Sequence, residues 1–571
     1  MRLFKKCRCI CARVRLLQQE PANADVLLIG LLLNCREKNR HYTNHHYKKY
    51  GEFFMKRKTY TTLAAIHLGS EMLRLRIVEY RTLSRIKVIE QCEYPIRLGE
   101  EAFKNKSIPF SMVEEICQVL QGFKELMQEY GTDVYTAQAT TAVREASNKV
   151  FMLDQIKLRT GLDVTVTEMP MEIYTKYVAI RKTVRDQHIS SEKGIMLLDI
   201  SSGGLGVTLL QDEQIKFQEN FHIGIIRIKE SFNNYQRSSL HFNKALMQFL
   251  SSTMGPVRKA LEGQAVKYLV LSGTETELLL KVMGIRNKNN VQRVTTEEFR
   301  KFFDKVRKLN LPQLLKTYHL TETEAELVLP MVLLYEKLLD LAPSAKEIII
   351  TSDTFLDGLI LLRIIREKDE NYTHMLEEEK MSLVHHVGED YEYDYRHVTQ
   401  VERLALIIFD RIGKKYGLDD HCRLLLRAAA ILHDIGKYVS MRSHSLYSYQ
   451  LIMGTDLLGF TEEDKQIIAM ASYYHAHNVL ERDEKRVPEL KSELVPVVAK
   501  LSAIIRLADA LDRSYMQKIQ QCKVTLHNRE LTIAVVSKAD LDLEEWTFAS
   551  KVLMMEEVYG FKVRLERVES L

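Results

Sequence analysis

Twice in this chain an apolar run breaks at glycine and resumes as a second apolar run. "TLAAI" reaches Gly69 and continues as "LRLRIVEY", where Leu73, Leu75 and Ile77 alternate with Arg74 and Arg76. "GIMLLDI" (194–200) reaches the glycine-rich "SSGGLG" and continues as "VTLLQ". A period of two interrupted by a turn residue predicts strand–turn–strand rather than helix. Helical periodicity follows the first unit in "SMVEEICQVLQGFKELMQEYG" (111–131), and "DVYTAQATTAVREASN" reads as a strand leading into a polar turn. Repetition of one grammar predicts a duplicated α/β half, dividing near 180–190. After about 385 the pattern is almost wholly helical through Ser514, with the acidic "EDYEYDY" (389–395) read as a solvated linker. A hairpin around Asn528, a helix ending at Gly560 and the strand "FKVRLE" predict a small α+β end.

At 571 residues one core is not enough, and about three or four domains are expected. The divisions expected are 1–54, 55–185, 186–385, 386–515 and 516–571. Residues 1–54 read as a basic, disordered extension or a mis-assigned start, with Met55 opening the folded protein. A net charge of +5 does not call for specific nucleic-acid binding, although a local basic groove could still receive a polyanion. Eight scattered cysteines fit a reducing cytoplasm, and Cys7, Cys9 and Cys11 lack the partners of a metal cluster. The apolar run "VLLIGLLL" is too short to span a bilayer, which takes roughly 20 residues. The lone Trp546 reads as a packing residue.

The helical half carries polar residues where apolar ones are expected. "HVTQVERLALIIFDRIGKKYG" opens with His397, "CRLLLRAAAILHDIGK" ends in His433 and Asp434, and "VPVVAKLSAIIRLADALDRS" contains Asp509. Burying a carboxylate among such neighbours costs several kcal/mol, roughly, unless something compensates. Two imidazoles and two carboxylates suit a divalent metal with open positions. The alternative is that Asp434 and Asp509 pair with Arg506 or Arg513 as buried bridges. The order of these four residues resembles the HD superfamily of metal-dependent phosphohydrolases. That resemblance implies a bound Mg²⁺ or Mn²⁺, attack of water on a phosphoester, and accessory roles for His444 and His475.

In the front half, "DISSGGLG" bends at Gly203 and Gly204, whose N–H groups can cradle phosphate, and Asp199 at the strand end can hold a cation. In order, "LAAIHLGSEML", "ATTAVREASN", "VTVTEMPMEIYTKY", "LLDISSGGLGV", "HIGIIRIKE", "VLSGT" and "TSDTFLDGL" resemble the exopolyphosphatase/guanosine pentaphosphatase (Ppx/GppA) family. The resemblance covers nearly all of 55–571. It implies a duplicated actin/Hsp70-like, ribonuclease H-like half, an all-α HD-type domain and a small α+β domain. It implies release of terminal phosphate from polyphosphate or pppGpp with Mg²⁺, in a cytoplasmic homodimer. Glu172 then maps to the general base, with Met171 in place of a second acid. Asp199 maps to the Mg²⁺-linked aspartate, Gly69, Ser70, Gly203 and Gly204 to the phosphate loops, and Arg144 to a phosphate-binding arginine. Against the family pattern, His67 replaces an acid, Ser201 and Ser202 replace glycines, and Gly206 replaces an acid. The competing expectation is a phosphate-binding regulator whose hydrolysis, if any, takes place at His397, His433, Asp434 and Asp509.

Overall fold

The computed structural model describes residues 60–570, apart from 202–203, 226–227, 229–240, 274, 286–289, 478–486 and 488–489. The expectations for the extension, for the three early cysteines and for Gly203 therefore lie outside the described residues. Residues 62–571 form one compact unit.

Strands β1 (Thr61–Leu68), β2 (Met72–Thr82) and β3 (Arg85–Pro95) open a five-stranded sheet, which β4 (Tyr135–Ala139) and β5 (Thr165–Val166) complete. Its order is β3-β2-β1-β4-β5, with β4 parallel to both neighbours. The second sheet contains β6 (Ile195–Ile200), β7 (Leu205–Gln211), β8 (Gln214–Phe221), β9 (Tyr268–Gly273), β10 (Val291–Thr295) and β11 (Glu347–Thr351). Its order, β10-β11-β9-β6-β7-β8, repeats the first topology and adds antiparallel β10 at one edge. The two strand–turn–strand units of the sequence open these two sheets. β6 is buried at all six positions, as expected of a strand covered on both faces.

Helices α1 (Phe110–Glu129), α2 (Thr141–Glu145) and α3 (Lys149–Thr160) belong to the first sheet. The polar turn expected after β4 is therefore the short helix α2. α4 (Met169–Asp186) follows, and α5 (Glu322–Leu341) lies in the core of the second sheet. α4 crosses α6 (Phe355–Lys368) closely at Gly358, where a Cβ would stand 1.9 Å from the Thr175 carbonyl oxygen. Glycine is required there by space rather than by φ.

The helical region starts earlier than 385. α6 leads into α7 (Glu370–Asp390), so a division at 386 would cut a helix. The acidic run is not a linker. Its first residues end α7, Tyr391 and Tyr393 pack against the core, and Asp394 caps α8 (Tyr395–Ile412) by accepting from His397 N. Four further helices complete the region: α9 (Asp420–Leu432), α10 (His444–Gly454), α11 (Glu462–Tyr474) and α12 (Val495–Ala510). Among the described residues no helix is long and apolar enough to cross a membrane.

The chain ends in a three-stranded sheet with α13 (Asp542–Tyr559). β12 (Gln521–His527) and β13 (Glu530–Val536) form a hairpin whose turn residues Asn528 and Arg529 both have positive φ. β14 (Lys562–Arg567) adds parallel to β13. Trp546 does not pack: it is 80% exposed, because α13 turns Phe548, Met554, Met555 and Tyr559 to the core instead.

Candidate functional site

Among the described residues, two clusters of buried charge bring together residues that the sequence singles out. The first lines a pocket in the front half that includes Thr141 and Arg144 of α2, Glu172 and Lys176 of α4, and Asp199 and Gly204 beside the second glycine turn. Glu172 sits in the first turn of α4 and is buried. Arg144 Nη1 donates to Glu172 Oε2 at 2.9 Å and to the Thr167 carbonyl at 2.7 Å, while Nη2 donates to Thr141 Oγ1 at 3.1 Å. Lys176 Nζ lies 3.2 Å from Glu172 Oε1 and 2.9 Å from Asp199 Oδ2. Ser272 Oγ donates to Asp199 Oδ1 at 3.1 Å, across the β6–β9 register that pairs these two residues. Burial opposes the charge on Glu172, but Lys176 and then Arg144 outweigh it and hold the carboxyl down to about 2.

Sequence reasoning missed Lys176. The signal was present, four residues beyond Glu172 and hence on the same helix face. Asp199, expected to hold Mg²⁺, is instead ion-paired with that lysine. Gly204 lines the pocket and is tied to Ser201 in both directions: its N–H donates to Ser201 Oγ and its carbonyl accepts from Ser201 N. Gly69 and Ser70 do not line the pocket. Gly69 N donates to Met72 O within its own turn, which engages that N–H, and Ser70 O accepts from Gly99 N.

His67 is buried, pairs through Nε2 with Thr140 Oγ1 at 3.0 Å and packs on Phe355. Burial above all, then the charge of Arg74, lowers it to about 3, so it is neutral near neutrality. An unfolded chain protonates this histidine near its ordinary 6.5, whereas the folded chain resists down to about 3. Stability is thus whole above the higher value and falls with acid by about 1.4 kcal/mol per pH unit between the two. Urea titrations across that window should show a flatter acid limb for His67→Gln. An equally steep limb would mean that other groups carry it.

The second cluster lies in the helical region, where His397, His433, Asp434 and Asp509 do converge. His397 Nε2 is 3.4 Å from Asp509 Oδ1 and 3.7 Å from Asp434 Oδ2, and His433 Nε2 is 3.4 Å from Asp434 Oδ2. All four are buried. His433 Nδ1 bonds the Ala430 carbonyl and His397 Nδ1 bonds Asp512 Oδ2. Both acceptors take the Nδ1 proton; the neutral His433 ring then points its Nε2 lone pair into the cluster, while His397, charged beside Asp509 and Asp512, must give up its Nε2 proton before that atom can bind a metal. Neither Nε2 finds a hydrogen-bond partner.

His444 and His475 add a second pair. Each bonds a backbone carbonyl through Nδ1, and their Nε2 atoms face one another at 3.3 Å, each within 3.8 Å of Asp434 Oδ1. Gly436 explains part of this arrangement. A Cβ there would stand 2.0 Å from the His444 carbonyl oxygen, so glycine lets α10 come close enough to deliver His444.

The alternative, arginine bridges to Asp434 and Asp509, does not form. Arg506 donates to the carbonyls of His475 and His477. Lys437 and the Tyr515 hydroxyl instead hold Asp434 Oδ2, and Lys551 holds Asp509 Oδ2 at 2.5 Å. The Tyr515 ring stacks on His397 with centroids 3.7 Å apart. Burial disfavours charge on His397, yet the carboxylates of Asp509 and Asp512 prevail and push it up to about 9. Burial depresses His433 and His475. The donor sets His397–His433–Asp509 and His433–Asp434–His475 each have the composition and closeness of a divalent-metal site.

Comparison with known proteins gives two family-model matches. Residues 77–364 match the Ppx/GppA phosphatase family, and residues 380–556 match Ppx/GppA phosphatase, domain III. The guanosine-5'-triphosphate,3'-diphosphate pyrophosphatase of Vibrio atlanticus is 21% identical over 479 residues, covering 83% of this chain and 91% of that protein. The protein of the same name from Aeromonas salmonicida is 20% identical, covering 75% and 82%. Among solved structures, a Ppx/GppA family member from Aquifex aeolicus aligns with a TM-score of 0.47 at 20% identity, over 54% of this chain and 99% of that one. An exopolyphosphatase from Cytophaga hutchinsonii aligns with a TM-score of 0.47 at 18% identity, over 53% and 98%.

Proposed function

The chain belongs to the Ppx/GppA phosphatase family, and from that premise we propose that it releases the terminal phosphate of inorganic polyphosphate or a guanosine polyphosphate at the front pocket. One observation carries this reading: a buried carboxylate, Glu172, and a forked cation, Arg144, 2.9 Å apart at the pocket wall. A guanidinium matches phosphate in shape and charge. The water oxygen bonds to the terminal phosphorus, and the bridging P–O bond breaks with its electron pair passing to the shortened chain. The water's proton leaves with the released phosphate or solvent. A carboxyl held at about 2 keeps a proton poorly, so Glu172 acts chiefly by accepting a hydrogen bond and aiming the water. No step here passes through Mg²⁺, because the Glu172 and Asp199 oxygens are already engaged.

The unpartnered Nε2 atoms of His397 and His433 favour a second reading, hydrolysis at the helical cluster. There His397, His433, Asp434 and Asp509 would hold Mg²⁺ or Mn²⁺, which when bound supplies Lewis-acid charge beside a phosphoester. Phosphate release by the full chain from polyphosphate and a nucleotide panel separates the two. Glu172→Gln should lower release from polyphosphate by about 10²–10³-fold. Loss only in Asp434→Asn, with Glu172→Gln unaffected, would move the chemistry to the helices. His433→Ala should also remove a tightly bound metal, read by elemental analysis.

A further inference from the structure

Beside Asp199, to which the family resemblance assigns a divalent ion, the chain already holds a positive charge of its own, shared with Glu172. Lys176 Nζ contacts one oxygen of each carboxylate, at 3.2 and 2.9 Å. The remaining oxygens are also engaged: Glu172 Oε2 accepts from Arg144, and Asp199 Oδ1 accepts from Ser272 Oγ. A Mg²⁺ bound by these carboxylates would need their oxygens at about 2.0–2.1 Å, in the space the ammonium fills. It would also meet a like charge in a buried setting. Lys176 cannot easily swing clear, because its side chain is 13% exposed and its backbone is fixed in α4, one turn beyond Glu172.

We infer that Lys176 is a built-in cation that replaces the divalent metal of the front pocket, so that a phosphate chain binds there without metal. This rests on the front-pocket reading given above and sharpens it. Two cations, Arg144 and Lys176, face two anions, so the network is neutral with no ion added. Phosphate is then recognised through directed N–H donors, and the protein's need for metal is confined to the helical cluster.

The test counts tightly bound Mn²⁺ per full-length chain by electron paramagnetic resonance, which does not depend on turnover. The parent and Asp199→Asn should bind the same number, His433→Ala fewer, and Lys176→Met one more. That extra ion should vanish in the Lys176→Met/Asp199→Asn double variant. Loss of a tight Mn²⁺ from the parent on Asp199→Asn would overturn the inference, as would a folded Lys176→Met that gains none. Should Lys176→Met not fold, the comparison of parent with Asp199→Asn decides alone. Calorimetry with inorganic tripolyphosphate in EDTA gives an independent reading. Binding should persist in the parent and weaken about ten-fold in Lys176→Met; binding only when metal is restored would overturn it. Failure of the proposed function would show separately, as no phosphate release under any metal condition with the Mn²⁺ counts unchanged.

Discussion

Arg144→Ala should lower kcat/KM for polyphosphate by about 10²–10³-fold, the usual cost of removing one preorganised donor from a phosphoryl or acyl site. Arg144 serves three partners at once: Glu172, the Thr167 carbonyl and Thr141. Its removal takes away the proposed phosphate contact and loosens α2 from α4. It also removes one of the two cations that hold Glu172 at about 2. The carboxyl pKa must then rise, and a new acidic limb should enter the pH–rate profile. Arg144→Lys should recover the charge but not the fork, leaving most of the loss in place. If Arg144→Ala turns over at the parental rate, the front pocket is not where phosphate is released.

The second large effect is on stability. Arg181 of α4 is 1% exposed, and its Nε donates to Glu379 of α7 at 2.8 Å. Tyr177 donates to the other Glu379 oxygen at 2.7 Å, and Glu213 also binds the guanidinium. Burial outweighs these partners and keeps Glu379 above the usual carboxylate range. A buried ion pair of this kind gives little over apolar packing, yet half of it alone is costly. Arg181→Met should destabilise by about 3–5 kcal/mol, measured by urea unfolding. Arg181→Met/Glu379→Leu should recover much of that loss. A double variant no better than the single would show that packing, not an abandoned charge, sets the cost.

What the residues announce on their own is local. The glycine turns, the period-two runs and the left-handed pair at Asn528 and Arg529 each depend on neighbours within a few positions, and these place the strands. The buried polar cluster of the helical region was also legible, because an imidazole or carboxylate in an apolar helix has few physical excuses.

The misreadings involve side chains that act at a distance. Trp546 looked like core, but which face of α13 turns inward depends on the sheet beneath it. Arg506 and Arg513 were reasonable partners for Asp434 and Asp509. The partners present are Lys437, three residues beyond Asp434, and Tyr515 and Lys551, which only the tertiary fold brings near.

Sequence alone was enough to establish two glycine-broken α/β units, a helical region with buried imidazoles and carboxylates, and a mixed end. Tertiary structure alone decided that Lys176 bridges Glu172 and Asp199, and that His67 is buried and neutral while the Gly69 N–H is bonded within its own turn. The physical reason is one of range. Backbone preference is set within a turn or two of chain, whereas the partner of a buried charge is whichever group the fold delivers within about 3 Å.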